Sequence, residues 1–151
     1  MLNYNGKVLA AFVLVVGFGF SACRSKRLVK DGELVDVISQ DTIKRKYFEA
    51  LGIAAADPKL PTATQRRALS RDAAIIKAHN ELLTMIKGAN LESGQTVDMS
   101  IMGDQKMVET LNHMIKGAEI IKTEFMADDG AVVTIRLPRK RASKMLGVKF
   151  K

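Results

Sequence analysis

Between Lys7 and Arg24 the chain carries no charge, and most of that interval is the run VLAAFVLVVGFGF, thirteen apolar or glycine residues from Val8 to Phe20. A helix that crosses a hydrocarbon core needs about 20 such residues. The run is therefore too short to span and has the length of the apolar region of a cleavable export signal. The folded domain has to come from the residues C-terminal to it. With 47% hydrophobic content in 151 residues, the chain can build one core of ordinary size and not two. Lys and Arg number 24 against 16 Asp and Glu, a formal net charge of +8, which favours anionic lipid, polyanionic glycan or nucleic acid as neighbours. Cys23 is the only cysteine. That excludes an intramolecular disulfide and any zinc site built on two or more thiolates.

Ser21 and Ala22 put small side chains directly before Cys23, and a basic cluster of Arg24, Lys26, Arg27 and Lys30 comes after it. This arrangement resembles a bacterial lipoprotein signal, in which Phe20, Ser21 and Ala22 would be read by the signal peptidase and Cys23 would become the lipidated first residue. Phe20 departs from the pattern, which usually has Leu there. Two other readings of Cys23 stay open: an incidental cysteine in an uncleaved anchor, and a reactive thiol, although nothing beside it in sequence offers a base or an orienting group. In signals of this type Asp after the cysteine commonly retains the protein at the inner membrane, so Arg24 implies sorting to the outer membrane. Cleavage before Cys23 would remove Lys7 and leave a net charge of +7. Residues 1–22 are expected as signal peptide and 23–42 as a lipid-anchored basic tether, either solvated or resting on anionic headgroups.

Regular patterning begins at Ile43. Residues 43–57 fit a strand with Tyr47, Glu49, Leu51 and Ile53 on one face, since Gly52 disfavours a helix interior and Pro58 stops the element before it. The stretch LPTATQRRALSRDAAIIKAHNELLTMIKGA predicts a long helix, capped by Thr62 or Thr64, with its period running through Leu69, Ala73, Ile76, Asn80 and Leu83. Ala68, Ala73, Ala74 and Ala78 would let it lie close on a sheet. MIKGA occurs at 85–89 and again at 114–118, each copy ending a helix with Lys at the carbonyl end and Gly in a left-handed exit. Shared capping chemistry suffices to explain the echo, and the sequence does not decide whether it also records a duplication. Thr96 to Met102 alternates and predicts a strand with Val97, Met99 and Ile101 on one face. A helix over 105–116 comes next, capped by Asp104 with a stripe of Met107, Val108, Leu111, Met114 and Ile115. Then EIIKTEF and AVVTIRL form a hairpin turning at Asp128, Asp129 and Gly130. The order strand, helix, strand, helix, strand, strand predicts an α+β sandwich of two layers, an antiparallel or mixed sheet with two helices on one face.

YFEALGIAAADP, SRDAAIIKAHNELLTMIKGANLESG, KGAEIIKTEF and VVTIRLP, taken in that order over about residues 46–138, resemble the Lpp-twenty family of outer-membrane lipoproteins. Some members of that family are flagellar lipoproteins that help build disk-like structures around the motor. The resemblance implies a lipid-anchored, non-enzymatic envelope protein in the outer membrane that acts by self-association or contact with other envelope proteins. PRKRASKMLGVKFK lies outside the shared part. The domain is expected over 43–138, with 139–151 an extended basic tail.

Motifs for chemistry are sparse. His79 and His113 lack the spacing that preorganises a metal site, and one glycine in GIAAADP falls short of a dinucleotide fingerprint. No cofactor, metal or enzyme activity is expected. Arg66, Arg67 and Arg71 sit in the first turns of the long helix, where the dipole disfavours cations. Together with Arg139, Lys140 and Arg141 they are candidates to hold an anionic glycan or lipid, against a solvated or locally paired face; Asp72 would offset one of them. Nucleic acid fits the charge, but export would keep it away, and two Tyr with no Trp offer little stacking surface.

Overall fold

Alternation in YFEALGIA is what builds the centre of the molecule. In the computed structural model, which describes residues 27–34, 41–43 (backbone) and 46–151, these eight residues form one strand with every second side chain buried. Ten elements succeed one another: β1 (Val29–Lys30), β2 (Glu33–Leu34), β3 (Asp41–Ile43), β4 (Tyr47–Ala54), α1 (Ala63–Lys87), α2 (Val97–Ile101), α3 (Gln105–Lys116), β5 (Glu119–Phe125), β6 (Ala131–Pro138) and α4 (Arg139–Leu146). The main sheet has four antiparallel strands in the order β3-β4-β6-β5. The register pairs Phe48 with Leu137, Ala50 with Ile135, Gly52 with Val133 and Ala54 with Ala131. Those eight residues share one face. α1 packs over β4 and β6, and α3 and α4 pack against each other beside it. The fold is α+β in two layers, as the patterning predicts.

Caps and turns form where the sequence places them. Thr62 accepts from the Gln65 N–H at the start of α1, and Asp104 accepts from the Met107 N–H at the start of α3. Each satisfies an otherwise unpaired helix donor. The β5–β6 hairpin turns at 126–130, with Met126 N–H donating to the Gly130 carbonyl at 2.8 Å. The α3 stripe is as expected, with Leu111, Met114 and Ile115 buried.

Several expectations are corrected. The predicted strand at Thr96 to Met102 is instead α2, a single helical turn capped by Thr96. Val97 and Ile101 are buried while Met99 is 66% exposed, the pattern of i, i+4 neighbours on a helix rather than alternate residues on a strand. α1 turns a different face inward: Ser70, Ala74, Ala78, Leu82, Met85 and Ile86 are buried, whereas Leu69 and Ile76 are exposed. Neither MIKGA glycine is left-handed; Gly88 (φ −78°) and Gly117 (φ −92°) keep a backbone that other residues adopt. Residues 27–34, expected as tether, form the β1–β2 hairpin, which docks through Leu28 N–H to Glu124 Oε2 (3.1 Å) and Ala127 N–H to the Gly32 carbonyl (2.9 Å). The C-terminal stretch is not an extended tail. It is α4 and a terminal segment seated on the core, with Ala142 and Leu146 buried, so the domain continues to residue 151.

Candidate interaction surface

The six basic residues singled out in the sequence divide by what the fold does with them. Arg66 and Arg67 lie in the second turn of α1, where the positive end of the dipole and the lack of any acidic residue in the first turn leave them uncompensated locally. The compensating anion comes from 62 to 63 residues away. Asp129, at φ 64° in the β5–β6 turn, presents its carboxylate to both guanidinium groups. Arg66 donates from Nε to Oδ2 at 2.8 Å, and Arg67 donates from Nε to Oδ1 at 2.7 Å. Ser70 Oγ donates to the Asp129 carbonyl at 2.7 Å, and Arg66 also reaches the Leu60 carbonyl at 3.0 Å. Arg67 lies over the Phe125 ring at 5.5 Å. This node clamps the hairpin turn to the helix start.

The hydrogen bonds from Arg66 and then Arg67 hold the Asp129 carboxyl below the ordinary carboxylate value, and desolvation opposes them less strongly. A carboxyl depressed in the folded state stabilises the fold at pH above its ordinary value, and that contribution disappears as pH falls through the folded-state value. Asp129→Asn keeps a side chain that tolerates positive φ but removes the charge. Thermal unfolding followed from neutral to acid pH should therefore show the wild type losing its advantage over D129N. A constant gap between the two down to pH well below the carboxylate range would disprove the clamp as an ion pair.

At the other end of the sheet, Arg139 and Arg141 also have internal partners. Arg139 stands between two rings, 5.3 Å from Phe48 and 5.4 Å from Phe150, and donates to the Lys151 carbonyl at 2.7 Å. Arg141 donates to the Gly117 carbonyl at the end of α3, at 3.1 Å. A Cβ at Gly117 would lie 3.0 Å from that guanidinium, so glycine there leaves room for the contact. Arg71 pairs with Asp72 at 3.6 Å, the offset expected from the sequence, with both side chains exposed. Lys140 is exposed. Of the six, the fold brings only Arg66 and Arg67 together, at Asp129; Arg139 stands at Phe48, Arg141 at Gly117 and Arg71 beside Asp72. Asp129 escaped the sequence reading because a partner so distant in the chain leaves no local pattern. Its only signal was two helix-start arginines lacking a nearby acid.

His113 is exposed on α3, and burial pulls His79 below the ordinary histidine value, with its Nε2 buried and without a hydrogen-bond partner. Among the described residues no group of three or more His, Cys, Asp or Glu could hold a metal ion, and no helix is long and apolar enough to cross a membrane. An open groove of about 520 Å³ runs between β4 and the flank of α1, lined by Leu51, Gly52, Ile53, Lys77, Asn80 and Glu81. The sheet face opposite the helices carries a polar contact between β4 and β6. There Arg136 donates to Glu49 Oε2 from Nε at 3.1 Å and from Nη2 at 2.9 Å while lying 4.8 Å above the Tyr47 ring. Phe20, Ser21, Ala22, Cys23 and Arg24 lie outside the described residues.

Ion pairs tie the turn of the hairpin to the helix, and among the described residues Leu69, Ile76, Met99 and Met102 are exposed. No family model, no curated protein and no solved structure matches the chain.

Proposed function

We propose that the protein is a lipid-anchored component of a bacterial cell envelope, carried to the outer membrane and acting there in assembly through protein contacts rather than as an enzyme. The observation that carries this reading is the run from Val8 to Phe20 followed by Ser21, Ala22 and Cys23, with basic residues beginning at Arg24. A short apolar run before small residues fits a cleavable export signal, and the cysteine directly after them matches the lipoprotein signal that the sequence resembles. The resemblance of residues 46–138 to the Lpp-twenty family supports the same setting and raises association with a flagellar motor. Exposed Leu69, Ile76, Met99 and Met102 support contact as the mode of action.

Cys23→Ser tests the anchor. The variant is expected to lose incorporation of labelled fatty acid and to leave the outer-membrane fraction. A C23S chain processed and fractionated like the wild type would show that Cys23 is not the attachment point.

A further inference from the structure

The outward side of α1 carries an apolar stripe that the sheet does not use. Leu69, Ala73, Ile76, Asn80 and Leu83 recur at steps of four and three residues, the spacing of the a and d positions in a two-stranded coiled coil. Leu69, Ile76 and Leu83 then fall at d, with Ala73 and Asn80 at a. Of the inward residues, Ala74 falls at b, Leu82 at c, and Ala78 and Met85 at f, positions that face away from a coiled-coil seam, while Ser70 at e and Ile86 at g, which flank it, are buried against the core as well. Leu69 is 51% exposed and Ile76 61%, so the stripe is uncovered at its centre among the described residues. α1 therefore has two apolar faces of different periods; the fold buries one, and of the other it half-buries Ala73 and Leu83 against the core and leaves Leu69 and Ile76 exposed.

We propose that this stripe is the contact surface for a second copy of the chain, with the two α1 helices paired in parallel and in register. The flanking charges identify the occupant. Asp72 falls at g and Lys77 at the following e, both exposed. In a parallel pair the g residue of one helix meets the next e residue of the other, so Asp72 of each copy meets Lys77 of the other on both sides of the seam. An antiparallel pair puts g against g and e against e and loses both ion pairs. Asn80 meets its own counterpart at a, where an amide pair fixes register. The stripe from Leu69 to Leu83 is short, about 21 Å at 1.5 Å per residue, but the sheet already holds the helix in shape. Pairing carries no folding cost of its own. This inference deepens the contact role proposed above and rests on it for its cellular setting; the pairing itself needs no lipid.

Crosslinking of the full chain in cells with a short, membrane-permeant bismaleimide tests it. A Cys23→Ser background removes the native thiol and makes the readout independent of lipidation, so failure of pairing and failure of anchoring are seen separately. Leu69→Cys alone and Leu83→Cys alone should each give covalent dimers. Adding Ile76→Lys, at a position already exposed, should reduce the yield by about tenfold or more, equivalent to at least 1.4 kcal/mol of association, with the thermal midpoint of the purified domain unchanged. Asp72→Lys should lower the yield, and Asp72→Lys with Lys77→Asp should restore it. The proposal is overturned if neither single cysteine crosslinks, if dimers form only when the two cysteine variants are produced together, if I76K leaves the yield unchanged, or if the cysteines capture only a different protein.

Discussion

Gly52→Ala is expected to destabilise the domain by about 3 kcal/mol, and Gly52→Val to prevent folding at room temperature. Gly52 lies on β4 opposite Val133 and under α1. A Cβ built there would overlap the Ala74 carbonyl oxygen and come within 2.5 Å of the Ala78 N and 2.9 Å of the Ala78 Cβ. Two of those three atoms are helix backbone, which cannot turn aside as a side-chain tip can. The helix would have to lift, opening the contacts of Ala74, Ala78 and Leu82, all fully buried. A glycine in a strand interior marks such a close approach. Denaturant unfolding should show a lower midpoint with an unchanged slope. Ala78→Gly in the G52A chain removes only the side-chain part of the clash, so little recovery is expected. Full recovery would mean that the backbone contact is not the obstacle.

The same contact explains which parts of the fold were legible in the sequence. α3 has one apolar stripe at helical period, and the structure buries it. β4 and β6 alternate at period two and pair accordingly, whereas β5 shows no alternating burial and its register with β6 shifts between Ile120 and Lys122. α1 offered two stripes. Ranking by side-chain size selects Leu69 and Ile76, but a helix lying on Gly52 needs small residues at the contact, which Ser70, Ala74 and Ala78 supply. The alanines were visible; which of them faced the sheet depended on a glycine in another element. α2 failed for a simpler reason. Val97 and Ile101, four apart, fit both periods over so short a window, and only the cap from Thr96 separates a turn of helix from a strand. In the candidate site, the arginines were legible as residue types. The Asp129 partnership was not, because it is made by tertiary closure.

Deleting residues 139–151 is expected to leave a chain that does not fold cooperatively, although composition alone marks that stretch as a dispensable basic tail. Its charges are real, but its apolar residues fall at i, i+4, and Ala142 and Leu146 are buried to 0% and 2% exposure. Beyond α4, Gly147 turns the chain at φ 65°, and the last residues run back along 90–92. Glu92 N–H donates to the Lys149 carbonyl at 2.9 Å, and Lys151 N–H donates to the Asn90 carbonyl at 3.0 Å. That path brings Phe150 edge-on to Phe48 at 5.0 Å. Phe48 is fully buried on the central strand, so the deletion uncovers a core aromatic as well as losing its cover. Burial of a Leu or Phe side chain stabilises by roughly 1.5–3 kcal/mol, so losing Leu146, part of Phe150 and the cover over Phe48 costs about 5 kcal/mol. That is comparable with the whole stability of a small domain, about 5–15 kcal/mol. Circular dichroism and amide chemical-shift dispersion of the shortened chain should show loss of fixed tertiary structure. Leu146→Ala and Phe150→Ala separately should each lower the midpoint without abolishing the transition. A chain ending at Pro138 with the wild-type midpoint would restore the domain boundary at 138 and make α4 an appendage.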